Sequence, residues 1–214
     1  MRLHTGGRFR RWLGARAGGD FEKGDRLHRR LLHGLGAFAI LYLLVPPRLL
    51  VVVPNDVILL AALELILVVE YLRHVRHWEL PTIRPYEVGR IASYVFYAVA
   101  LTGALLLFPR PIAAAVILGT ALVDPLLGEL RLRSSRPAGS ILPGLVGYTF
   151  LAGLAFALLG GWRGAALVGF ALLAAAIAVA AEWPNWGSVD DDLAMTLVPG
   201  AVLTAILLAW PGLV

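Results

Sequence analysis

The chain has 214 residues, 59% hydrophobic and 15% charged, with a net charge of +5 and a mean hydropathy of +0.77. A soluble domain lies nearer half apolar and a quarter charged, so the composition excludes a soluble globular protein and predicts an integral membrane one. No cysteine is present, which excludes disulfides, thiolate catalysis and Cys-ligated metal.

Residues 1–30 form a basic tail with nine Arg/Lys, including Lys23, the only lysine of the chain. Within it FRRWLGAR sets Phe9, Trp12 and Leu13 among arginines, which reads equally as a surface amphipathic helix or as an unstructured positive arm. Basic residues of this kind in a membrane protein report topology and anionic headgroups rather than nucleic acid. No small-residue cleavage site follows the first apolar run, so a signal peptide is not expected.

Seven apolar runs follow, at about 31–45, 49–72, 91–108, 111–127, 141–159, 165–181 and 193–210. Pro46-Pro47 ends the first, because proline cannot continue the helical hydrogen-bond ladder. The alanine-rich sixth reads as a tightly packed central helix. The expected fold is an all-α polytopic bundle of about seven spans, a single transmembrane unit over 31–214. With the N-terminus in the cytoplasm, sixteen Arg/Lys fall on the inner side and only Arg48, Arg110 and Arg163 on the outer. That bias is the positive-inside pattern. It gathers four polar segments on the cytoplasmic face: RRLLH, the loop after span two, the loop after span four, and EWPNWGSVDDD.

Asp190, Asp191 and Asp192 are three carboxylates with no basic neighbour, directly before the last span. One aspartate suffices to cap a helix. Three together suit a hard divalent cation such as Mg²⁺. Adjacent residues point about 100° apart, so two of them can face one ion. Asp124 lies at the end of span four, where a carboxylate is a functional-site hypothesis by default. Glu129, Arg131 and Arg133 follow it in what reads as a loop; acid for metal beside Arg for phosphate is what phosphoryl transfer requires. Arg29, Arg30 and His33 share one helical turn and read either as a phosphate grip with a candidate base or as basic flanking of span one. SSRPAGS, with Gly139 and Ser140, reads as a backbone cradle for phosphate or simply as a helix start. Glu70, near the inner interface, either snorkels or pairs with Arg73, Glu64 lies deeper in span two and needs a polar partner, and Glu182 closes span six beside the carboxylate loop.

In this order the pieces resemble the CTP-dependent polyprenol kinase family: dolichol kinase, phytol kinase and CTP-using diacylglycerol kinase, within the CDP-diacylglycerol synthase-like group. The resemblance is carried by Arg29-Arg30 with His33, by RPYEVGRIASYVFY at 84–97, by Asp124, by Gly139-Ser140 and by Val189-Asp190-Asp191-Asp192-Leu193. Ser135 and Ala138 stand where the family has lysine and glutamate, and Asp192 stands for its asparagine. The resemblance implies CTP-dependent phosphorylation of a membrane lipid alcohol at the cytoplasmic face. Asp124, Asp190, Asp191 and Asp192 would then hold Mg²⁺, with Asp124, Asp191 and His33 as catalytic groups. Arg29, Arg30, Arg131, Arg133, Glu129, Gly139 and Ser140 would line the nucleotide. The alternatives are a cytidylyltransferase making a CDP-activated lipid, and a catalytically degenerate bundle acting as transporter or scaffold.

Overall fold

The computed structural model describes residues 30–46, 53–78, 83, 87, 89–133, 137–182 and 190–213, with side chains left out at 132, 133, 137 and 138. Residues 1–29 of the basic tail, Arg29 among them, the Arg133 side chain and residues 183–189 of the carboxylate loop lie outside this description. Among the described residues the protein is helical and contains no β-strand.

Helix α1 runs Arg30–Leu44, and its last nine residues, Gly36–Leu44, wind as a 3₁₀ helix. Helix α2, Asn55–Arg76, ends at His77, whose φ of 52° turns the chain left-handed. Two side-chain hydrogen bonds staple α1 to α2: the Tyr42 hydroxyl donates to Asp56, and the Asn55 amide donates to the Pro46 carbonyl. Helix α3 is Ser93–Leu107 and α4 is Arg110–Leu118, with a proline in its first turn, where no hydrogen-bond donor is needed.

A π-helical turn, Gly119–Val123, leads directly into α5, Asp124–Arg133. The cause is Pro125. It lacks an N–H, and in an uninterrupted α-helix its ring would collide with the carbonyl four residues back. Widening the preceding turn lets the helix pass the proline without ending. Arg131 therefore lies on a helix that continues from α4, and not in the loop expected after span four. A 3₁₀ turn, Pro137–Ser140, opens α6, Ile141–Gly160. Gly161 and Gly164 then take φ of 68° and 61°, backbone positions that disfavour side chains, and α7 follows as Gly164–Glu182. The last long helix is α8, Asp191–Ala209.

Four stretches are long and apolar enough to cross a membrane: Arg110–Arg131, Ile141–Gly160, Gly164–Glu182 and Asp191–Ala209. Arg30–Leu44 and Ser93–Leu107 are apolar but shorter. Helix α2 has 22 residues but carries Asp56, Glu64, Glu70, Arg73 and Arg76.

The expected central helix, span six, is not the most enclosed one. That place belongs to the stretch containing α4, 61% buried over its most apolar window against 39% for α7. Every residue from Ile112 to Ile117 is fully buried. The alanines of α7 do form a packed stripe, Ala171, Ala174, Ala175 and Ala178, at the spacing of one helix face. The other side of the helix, with Leu172 and Leu173, is exposed. Small residues on one side and large apolar ones on the other are what a helix between protein and lipid requires.

Candidate functional site

Chain reversals bring the starts of α1, α3, α6 and α8 to the same end of the bundle as the ends of α5 and α7. A cavity of about 270 Å³ opens there. Its lining includes five carboxylates, Glu87, Asp124, Glu182, Asp191 and Asp192, against two guanidinium groups, Arg30 and Arg131, and the imidazole of His33. The balance favours cations.

At its centre is the His33 ring. Nε2 lies 3.4 Å from Asp192 Oδ1 and 3.8 Å from Asp124 Oδ2. It is also 3.2 Å from the Thr120 carbonyl oxygen. A nitrogen facing three oxygens is best satisfied when it carries a proton. The ring stacks on Tyr97 at 4.1 Å between centroids, and the Tyr97 hydroxyl donates back to the His33 carbonyl at 2.8 Å. Gly36, one turn on from His33, permits this: a Cβ there would run into the Tyr97 ring.

The π turn explains why the Thr120 carbonyl faces His33. In the π register its partner is the N–H of residue 125, and Pro125 has none. The same turn aims Asp124 inward. The Thr196 hydroxyl, one turn into α8, is hydrogen-bonded to the Asp192 carbonyl at 2.8 Å and to the Thr120 hydroxyl at 2.9 Å. Both threonines are fully buried. Asp124 and Asp192, 68 positions apart, are thus held by one threonine pair and one histidine.

Ligand atoms of His33, Asp124 and Asp192 all lie within 4.8 Å of one another, as do those of Asp190, Asp191 and Asp192. Asp192 belongs to both groups. Two carboxylates from different helices fit Mg²⁺, which favours oxygen donors and keeps waters for the rest of its shell. The imidazole suits softer metals better, and beside Mg²⁺ its part is to orient the carboxylates. The three aspartates differ in place. Asp190 caps α8, its side chain accepting from the Asp192 N–H at 3.1 Å. Asp191 is exposed and lines the cavity; Asp192 is buried and faces His33.

The basic residues are already held. Arg30 forms an ion pair with Glu129. Arg131 Nη1 meets Glu182 Oε1 at 2.8 Å, and its Nε lies 3.4 Å from the buried Ser140 hydroxyl. Gly139 is exposed in the turn before Ser140. Arg29 and the Arg133 side chain lie outside the described residues. Thr120 and Thr196 are site residues that the sequence did not single out; Glu87 and Tyr97 lie in the 84–97 stretch that carries the resemblance but had no role assigned to them. The one local signal was Pro125 directly after the aspartate that ends the fourth apolar run.

Next to the cavity wall, Glu70 and Arg73 are buried together. Arg73 donates Nε and Nη2 to the two Glu70 oxygens, each at 2.7 Å. Glu70 also accepts from the Ala92 N–H at 2.9 Å and the Tyr94 hydroxyl at 2.6 Å, while Arg73 donates to the Arg90 carbonyl at 2.6 Å. This clamp fixes the end of α2 to the start of α3, whose Ser93, Tyr94 and Tyr97 wall the cavity.

No family model, curated protein or solved structure matches this chain. What the site does is therefore read from its own side chains.

Proposed function

We propose that this protein is a Mg²⁺-dependent kinase that transfers a phosphoryl group from CTP to the hydroxyl of a membrane lipid alcohol. The observation that carries the reading is the meeting of Asp124, Asp192 and His33 within 4.8 Å, from three distant parts of the chain. They meet in a cavity that also holds Arg30 and Arg131. The proposed frame is seven spans with a cytoplasmic N-terminus, so that the cavity opens to the compartment that holds nucleotides. CTP as donor is taken from the resemblance to the polyprenol kinases.

In this reading Asp124 and Asp192 hold Mg²⁺, which when bound neutralises charge on the phosphate oxygens. Arg30 turns from Glu129 toward the phosphates, and Arg131, held by Glu182 through one nitrogen, offers its remaining N–H groups as charge-assisted donors. The lipid hydroxyl reaches the cavity from the bilayer. Its oxygen bonds to the γ-phosphorus, the bond from that phosphorus to the bridging oxygen breaks, and CDP leaves. Asp191, the exposed carboxylate, takes the hydroxyl proton. His33 keeps Asp124 and Asp192 in register.

The test is incubation of the purified protein with γ-labelled CTP, MgCl₂ and a panel of isoprenoid alcohols and diacylglycerol. Label in a lipid phosphate, with CDP released, is the expected result. Asp124→Asn should lower the rate by about 100-fold or more. Release of pyrophosphate with a CDP-lipid would assign the cytidylyltransferase reading instead. Equal silence of wild type and variant, in turnover and in nucleotide binding, would remove the enzyme reading.

A further inference from the structure

We infer that the second carboxylate oxygen of Glu182 is a substrate contact, accepting a hydrogen bond from an N–H or O–H group on the polar end of the bound substrate. This rests on the kinase reading and extends it to a residue with no part in the metal set.

Glu182 is the last residue of α7 and is 8% exposed. Its Oε1 meets Arg131, but its buried Oε2 has no hydrogen-bond partner among the described residues. Such orphaned acceptors are rare in folded proteins, and each needs a reason. The same molecule shows what a purely structural Glu–Arg pair looks like. Glu70 engages Arg73 with both oxygens, and those oxygens take four donors in all. Glu182 shares its arginine through one oxygen only, while the Arg131 Nε turns to Ser140. The pair is left with an acceptor to spare, and Glu182 lines the cavity.

With Oε1 held by the Arg131 guanidinium, Oε2 is offered as an acceptor, and its complement is a donor. Two sources carry one: an amine or hydroxyl of the nucleotide, and the hydroxyl of the lipid alcohol. Arg131 beside it offers donors to an anionic or carbonyl oxygen. The two side chains together suit a group with a donor and an acceptor side by side.

Glu182→Gln keeps the shape and turns one oxygen into a donor. The measurements are MgCTP affinity by calorimetry and KM for a polyprenol in mixed micelles. A loss of about 10- to 100-fold in MgCTP affinity, the range for a hydrogen bond to a charged group, supports the contact and assigns it to the nucleotide. A similar rise in the polyprenol KM alone supports it and assigns it to the alcohol. An active variant with both values unchanged overturns the inference and leaves the kinase reading standing. Wild-type protein that neither binds MgCTP nor turns over any alcohol fails the kinase reading itself. As a folding control, Arg131→Met with Glu182→Met should melt no lower than wild type. A fall of about 10 °C or more would mark the pair as a structural clamp and overturn the contact.

Discussion

Asp190, Asp191 and Asp192 share one chemistry and differ only in where the start of α8 points them. Successive helical residues diverge by about 100°. One therefore caps, one faces the cavity mouth and one faces His33. The sequence shows that three carboxylates are more than a cap needs, but the phase of α8 is set by packing against α3, α4 and α7, which a linear pattern does not state. Substitution should separate the three. Asp190→Ala removes a cap and should cost about 1 kcal/mol of stability, with Asp190→Asn restoring most of it. Thermal melting in detergent checks this, with catalytic rate as the contrast. Asp192→Asn should do the reverse, leaving the melting temperature within a few degrees while Mg²⁺ affinity falls about tenfold or more. If Asp190→Ala removed activity and left stability untouched, the division of labour would be wrong. His33 shows the limit of reading residues singly. In the sequence it is one histidine in a basic flank, and its role exists only because residues 87 and 159 positions away arrive beside it.

At the scale of elements, the apolar runs are legible because burial in lipid or protein needs only apolar side chains, whereas the π turn is not. GTALV has the periodicity of any helix, and the widening comes from Pro125 competing with the ladder. Its effect is testable. Pro125→Ala supplies the missing N–H and removes the ring clash, so the turn should relax to α geometry with no residue lost and swing Asp124 away from its present direction. The protein should remain helical by circular dichroism and lose Mg²⁺ binding. Retained metal affinity would show that the turn does not aim the carboxylate. The α2–α3 clamp makes a second prediction. Glu70→Leu leaves Arg73 buried without its anion and should destabilise by about 3–5 kcal/mol. Glu70→Leu with Arg73→Leu should be less destabilising than Glu70→Leu alone, a coupling that a double-mutant cycle measures directly. The pairing was one of two readings the sequence left open for Glu70, the other being a side chain that snorkels to the interface. The clamp's reach to Ala92, Tyr94 and Arg90 was not legible, because those contacts depend on how the chain returns after α2.

For the whole molecule, the question is whether helices of such unequal length could share one membrane, as the proposed seven-span frame requires. Helix α1 has only 15 residues. Winding nine of them as 3₁₀ adds about 0.5 Å of rise each, so that α1 spans about 27 Å, close to a hydrocarbon core of about 30 Å. The outer faces suit lipid: Leu142, Val146 and Phe150 form an exposed stripe along α6. If all seven helices cross with the N-terminus inside, the turn before α3 lies in the cytoplasm, and the α6–α7 turn and residue 213 lie outside. The chain has no cysteine, so single cysteines report sidedness without background. Gly89 has open space around a would-be Cβ, and Arg163 and Leu213 are exposed. In sealed right-side-out vesicles, an impermeant maleimide should label Arg163→Cys and Leu213→Cys at once, and Gly89→Cys only after permeabilisation. The reverse pattern would put the cavity outside, away from nucleotide, and the kinase reading would fall with the topology. Labelling of Gly89→Cys and Leu213→Cys on the same side would mean an even number of crossings between them. The carboxylates of α5 and α8 would still meet, but the count of seven would be lost.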